Sequence, residues 1–142
     1  MKDFFELIRW NHWAKNVFVL APLFFSGDYY DISNVAQALK AFFIFCLVSS
    51  CVYIFNDLLD FEADSAHNKK RLRPLPSGRI SKPMAVLILS IMFISACLLL
   101  YTLRMPINFI YVVLLYTLIN LIYSTGLKHI PVLELMLVSS GF

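Results

Sequence analysis

The chain has 142 residues, 60% of them hydrophobic and 15% charged, with 13 Phe and 7 Tyr. That is too apolar for a soluble domain of this length, so the sequence reads as an integral membrane protein. The net charge of +3 comes from cations confined to a few loops, which leaves no basic stripe of the kind that binds nucleic acid. Cys46, Cys51 and Cys97 lie in apolar runs with no CxxC or Cys/His spacing, which excludes a disulfide framework or zinc site and reads as small buried side chains.

Crossing a bilayer core as a helix takes about 20 apolar residues, with a lower limit of about 17. Residues 1–13 come first, an amphipathic stretch in which Phe4, Phe5, Ile8 and Trp13 suit a helix lying along the interface. Its length and the lack of an A-x-A-like cleavage site exclude a signal peptide. A first span is expected over 14–30, although its uninterrupted apolar part covers only 17–25 and the crossing must take in Lys15 and Asn16. Spans over 35–55 and 84–103 meet the required length plainly, and one over 107–123, opened by Pro106 in a first-turn position, meets the lower limit. The last run, 132–142, is too short to cross, so it is expected to be a truncated fifth span and the chain an N-terminal fragment.

Orientation follows from the cations in short loops. Lys2, Arg9 and Lys15 precede the first span; Lys69, Lys70, Arg71, Arg73, Arg79 and Lys82 follow the second; Lys128 follows the fourth. The opposite loops hold Asp28 and Asp31, with Lys40 and Arg104 as the cations. The expected architecture is an all-α polytopic transmembrane bundle of about four spans plus the truncated fifth. Its N-terminus and the acidic and basic segment 56–82 face the cytoplasm, and it is a multi-pass protein of the inner (plasma) membrane.

That segment reads NDLLDFEAD and continues HNKKRLRPLPSG. Asp57, Asp60 and Asp64 are spaced i, i+3, i+7, which at about 100° per residue puts them, with Asn56, within about 100° of one helix face. Glu62 points the other way, and His67 reads as a surface residue of a polar loop. Three carboxylates on one face repel each other unless a hard cation neutralises them. Mg2+ suits them: it takes oxygen ligands, one or two of them protein carboxylates, and completes its shell with waters and substrate phosphate oxygens. Lys69, Lys70, Arg71 and Arg73 begin five residues after Asp64. They read either as a loop folded back over a phosphate or as the positive-inside signal alone. Pro74, Pro76 and Gly78 keep this stretch from continuing as a helix.

The run NDLLDFEAD fits the N-D-x-x-D-x-x-x-D motif, and with its basic continuation it resembles the UbiA-type intramembrane prenyltransferase superfamily. RWNHWAKNVFVLAPLFFSG at the first span and YSTGLKH after the fourth resemble the branch that makes polyprenyl-phosphate (decaprenyl-phosphate) phosphoribose for cell-wall biosynthesis. The resemblance implies a helical membrane domain with a central cavity open to lipid and roughly twice the spans found here. It implies that Asn56, Asp57, Asp60 and Asp64 hold magnesium and the diphosphate, that Lys70, Arg71 and Arg73 hold phosphate groups, and that Lys15, Asn16, Tyr123 and Lys128 line the cavity. Snorkelling to the headgroups remains open for Lys15, and interfacial anchoring for Tyr123.

The function so implied is Mg2+-dependent transfer of 5-phosphoribose from phosphoribosyl diphosphate to a lipid-embedded polyprenyl phosphate. The alternative is prenyl transfer from a polyprenyl diphosphate to an aromatic or other acceptor, which the same diphosphate apparatus serves. The non-enzyme reading is a small cation-binding or transporting membrane protein, against which the acidic residues gather at a cytoplasmic helix end instead of mid-span. Family members complete the site from a later helix pair, so the chain alone is expected to be inactive unless missing helices or a second chain supply it.

Overall fold

The structure, a computed structural model, describes residues 1–125. The expected span over 132–142 and Lys128 lie outside the described residues. A short helix α1 (Lys2–Leu7) leads into a long 3-10 stretch (Trp10–Leu20) that continues as α2 (Ala21–Ser26). After a 3-10 turn come α3 (Ile32–Leu59) and α4 (Phe61–Ala66), then a second 3-10 turn (Lys70–Leu72), α5 (Lys82–Thr102) and α6 (Ile107–Thr125). Among the described residues there is no strand, as the composition anticipated.

Three of the described helices, α3, α5 and α6, are long and apolar enough to cross a membrane. They contain or closely overlap the expected spans 35–55, 84–103 and 107–123. Each start has a local cause. The Asp31 side chain accepts from the Ser33 N–H at 2.8 Å to cap α3, and the Ser81 hydroxyl caps α5 by accepting from the Met84 N–H, with Pro83 in the first turn. At α6 the Phe109 N–H bonds the Pro106 carbonyl at 3.0 Å.

The expected first span has a different form: residues 14–30 make no single α-helix. Pro22 has no N–H to offer the Phe18 carbonyl, which instead takes the Ala21 N–H three residues on, and this favours the tighter 3-10 winding before it. Side chains also hold the stretch in place. Trp13 Nε1 donates to Ser50 Oγ at 3.0 Å, and Asn16 Nδ2 donates to Ser49 Oγ at 2.9 Å, both on α3. At about 2.0 Å of rise per residue in the 3-10 stretch and about 1.5 Å in α2, the two together reach about 30 Å, the thickness of a hydrocarbon core. Gly27 then takes φ +78, in the left-handed region that favours glycine, and ends α2.

α3 is the central element, packed against the 3-10 stretch, α5 and α6. It buries Ile44, Cys46, Val48, Ser50, Cys51 and Ile54. α5 buries one stripe, Ala85, Met92 and Ala96, and leaves Leu87, Ile91, Phe93, Ile94 and Leu98 exposed. Such an outward face is too apolar for water and is what lipid covers. Cys46 and Cys51 are buried as expected, whereas Cys97 lies on the exposed side of α5.

Two core clusters fix the ends of the bundle. One joins Ala41, Ile44 and Val48 to Ala96, Met105 and Val113. The other joins Leu7 and Ile8 of the N-terminal segment, Ile54 of α3, Leu75 and Ile80 of the loop, and Ala85 of α5. Because of the second cluster, the N-terminus, the C-terminal end of α3, the basic loop and the start of α5 lie at one end. The charge distribution anticipated this grouping.

Candidate functional site

At about 1.5 Å per residue the 28 residues of α3 run about 42 Å, more than a core of about 30 Å requires. The helix therefore has length to spare beyond a crossing, and Asn56 and Asp57 lie in its last turn. Asp60 stands between α3 and α4, but the helical bonding passes through it: the Asp60 N–H bonds the Asn56 carbonyl at 2.9 Å and the Asp64 N–H bonds the Asp60 carbonyl at 2.7 Å. Asp57 and Asp64 thus stay on one side, as their spacing predicts, and are only 2% and 1% exposed.

Two buried carboxylates are costly unless cations meet them. Three do so here. Arg73 Nη1 lies 2.6 Å from Asp64 Oδ2 and 3.3 Å from Asp57 Oδ1, so those two oxygens are within about 6 Å of each other. Lys70 Nζ is 3.3 Å from the other oxygen of Asp64, and Arg9 Nη2 hydrogen-bonds Asp57 Oδ1. Asn56 Oδ1 accepts from the Ser124 hydroxyl at the end of α6.

The loop carrying Arg73 and Lys70 is held by packing and turn chemistry. Leu75 is 1% exposed and Ile80 9%, both in the cluster with Leu7 and Ile54. Gly78 takes φ +76 in the tight turn between them, the region where a side chain would be strained. Arg79 bridges Asp3 and Glu6 of α1 and donates to the Leu72 carbonyl at 2.6 Å. α1 is thereby clamped over the loop.

Of the residues singled out from sequence, Asp57, Asp64, Lys70 and Arg73 come together, while the Asn56 amide oxygen meets Ser124. Asp60 is half-buried at the helix junction. Arg71 and Lys15 are exposed, Tyr123 is half-buried in the last turn of α6, and the Asn16 amide is committed to the α3 serine. His67 is exposed, as expected, with Nδ1 accepting from the Lys69 N–H at 3.2 Å. Sequence reasoning missed Arg9 and Ser124 as site residues. Arg9 counted only as a positive-inside charge, although it opens the RWNHWAKN stretch, and Ser124 lies within YSTGLKH. In the structure it adopts φ +52, which costs an L-residue about 1–2 kcal/mol, and its guanidinium also covers the Tyr53 ring at 4.7 Å.

One cavity borders Asp57, and a second lies between the long helices. A polar recess of about 280 Å³ has Arg9, His12, Asp57 and Arg73 in its walls. An apolar groove of about 440 Å³ runs between α3, α5 and α6, and reaches Phe55 and Leu121 next to the site. Chemically, carboxylate oxygens are the donors a hard divalent ion takes, and two of them face each other here across one guanidinium nitrogen. Among the described residues no group of three His, Cys, Asp or Glu side chains converges on one point.

The family model for the UbiA prenyltransferase family matches residues 17–142. A decaprenyl-phosphate phosphoribosyltransferase of Mycolicibacterium smegmatis is 39% identical over 141 residues, which cover 96% of this chain and 44% of that relative. The protein of the same name from Mycobacterium tuberculosis is 35% identical over 143 residues, 96% of this chain and 46% of the relative. A nodulation protein NoeC of Azorhizobium caulinodans is 38% identical over 76 residues, 54% of this chain and 24% of the relative. The chain spans about half the length of the phosphoribosyltransferase relatives it matches.

Proposed function

The chain belongs to the UbiA prenyltransferase family, and from that premise we propose that it binds the diphosphate donor of a membrane transferase which moves 5-phosphoribose from phosphoribosyl diphosphate to a polyprenyl phosphate. The observation that carries the diphosphate end is the buried Asp57–Asp64 pair with Arg73, Lys70 and Arg9 against it. The relatives named as decaprenyl-phosphate phosphoribosyltransferases favour phosphoribose over a prenyl group as the transferred part.

In this reading Asp57 and Asp64, with Asp60 and the Asn56 amide oxygen, hold Mg2+, which when bound offsets the charge of the departing diphosphate. Lys70, Arg71 and Arg73 hold phosphate oxygens, and fixed cations in a partly dry site stabilise the leaving group more than water would. The bond from C1 of the ribose to the diphosphate oxygen breaks, a phosphate oxygen of the lipid bonds to C1, and diphosphate leaves. The apolar groove beside Phe55 receives the polyprenyl chain, and Tyr123 and Lys128 are assigned to contacts with the substrates. Lys15 and Asn16 belong to the first crossing, where Asn16 secures its packing on α3. The site faces the cytoplasm of a plasma membrane, where the basic loops are retained.

Equilibrium dialysis tests the donor. Labelled phosphoribosyl diphosphate should bind the purified chain only with Mg2+ present, and at least about tenfold more tightly than geranyl diphosphate. Preference for the prenyl diphosphate would replace this reading with prenyl transfer. Tight Mg2+ binding indifferent to any diphosphate would indicate a cation-binding membrane protein.

A further inference from the structure

The carboxylates a divalent ion would need already have cations on them. Arg73 is the one that touches both, through a single nitrogen at 2.6 and 3.3 Å. A guanidinium and a divalent ion cannot share that gap, because they compete for the same oxygen lone pairs and repel each other. Arg73 cannot withdraw far either. Its neighbours Leu75 and Ile80 are buried in the core, and the Ser77 hydroxyl holds the Arg73 carbonyl at 2.6 Å. Lys70 and Arg9, the other groups on these carboxylates, are cations and offer it no acceptor. A metal ion arriving alone must therefore strip a half-buried guanidinium of its counter-charge, which is strongly unfavourable. A diphosphate arriving with the ion supplies the acceptor, in the planar two-point geometry that guanidinium favours.

We propose that Arg73 is an exchangeable counter-ion: it holds Asp57 and Asp64 together before substrate arrives and passes to diphosphate oxygens as the ion enters, so divalent-ion binding is conditional on a diphosphate ligand. The proposal rests on the reading of this site as one for a metal and a diphosphate. It assigns Arg73 two successive partners. The resting contacts keep the two acidic side chains paired and close without taking up free cations, and the site becomes a metal site when the donor is present.

The test is a pair of titrations on the purified 142-residue chain in detergent. One follows Mn2+ alone by the electron paramagnetic resonance of the free ion, and the other follows labelled phosphoribosyl diphosphate at saturating Mn2+. Arg73→Gln should tighten Mn2+ alone by about tenfold or more and weaken the labelled diphosphate by a similar factor. Arg73→Lys, which keeps the charge but lacks the fork, should shift both in the same directions by less. A purely structural arginine moves both affinities downward. Circular dichroism of the same samples reports helix content, and if Arg73→Gln loses it, Arg73→Lys decides the matter by the same signs. Unchanged or weaker Mn2+ binding in the folded variant overturns the counter-ion role. If the unmodified chain retains no labelled diphosphate at any Mn2+ concentration, the failure lies instead with the metal and diphosphate reading.

Discussion

Leu75→Ala probes the packing on which the site depends. Leu75 is 1% exposed and packs with Leu7, Ile8, Ile54 and Ile80, all 9% exposed or less. Removing a buried leucine side chain to alanine costs about 2–5 kcal/mol, and a mid-range value of about 3 kcal/mol suits a site whose neighbours come from three separate segments. The loss falls on the loop and α1, because Leu75 belongs to neither of the helices that flank it. Local opening of residues 69–80 should therefore become about 100-fold more frequent, at about 1.4 kcal/mol per tenfold. Limited trypsin digestion reads this out after Lys69, Lys70 and Arg71, while Pro74 protects the bond after Arg73. When opening is fast relative to cleavage, the cleavage rate follows the open population. Leu75→Met, which keeps the volume, should raise the rate by less than about tenfold. An increase below about threefold for Leu75→Ala would show that this core does not hold the loop, and the account of how Arg73 is positioned would fail with it.

Asp57→Asn and Asp64→Asn should each lower Mg2+-dependent binding of phosphoribosyl diphosphate by about 10–100-fold while membrane insertion is kept, and near-normal binding would remove them from the site. Arg9→Gln should weaken the same binding by less than either, with the Tyr53 fluorescence environment changed, because it loses contact with both Asp57 and the ring. Thr117→Trp, in the wall of the apolar groove, should reduce affinity for a long polyprenyl phosphate by about tenfold and leave phosphoribosyl diphosphate binding unaltered; equal loss of both would place the lipid elsewhere. At the other end of α3, the bond from the Ser33 N–H holds the Asp31 carboxyl below its ordinary value of 3.8. A carboxyl depressed on folding stabilises the helix start above its unfolded pKa and loses that contribution as pH falls through the folded value. The Ser33 amide shift, followed by NMR, should therefore titrate with a midpoint under 3.8, and a midpoint above it would contradict the cap.

Much of this protein is written in local sequence. Lipid leaves no alternative to a helix for a long apolar run, since every backbone N–H and C=O must be bonded within the segment. The run lengths alone thus located α3, α5 and α6 to within a few residues. The spacing of Asn56, Asp57, Asp60 and Asp64 predicted a shared face, because helical geometry repeats every 3.6 residues whatever the partners, and the structure joins Asp57 and Asp64 through Arg73. The stretch over 14–30 was less legible. Its apolar part is short, and its 3-10 form depends on Pro22 and on Trp13 and Asn16 finding Ser50 and Ser49 on α3.

Tertiary structure alone decided which charges meet. Arg9 reaches Asp57 across 48 residues and Ser124 reaches Asn56 across 68, separations at which no periodicity operates. Burial of Leu7, Ile8 and Leu75 against Ile54 brings those segments together, and the hydrophobic effect that drives it is non-directional. A sequence therefore shows that such residues will be buried without showing against what. The acidic face was legible because one nearly continuous helical run carries it, and Lys70 and Arg73 were legible because they follow it closely in sequence, whereas Arg9 came from a distant segment and could be identified only once the chain had packed.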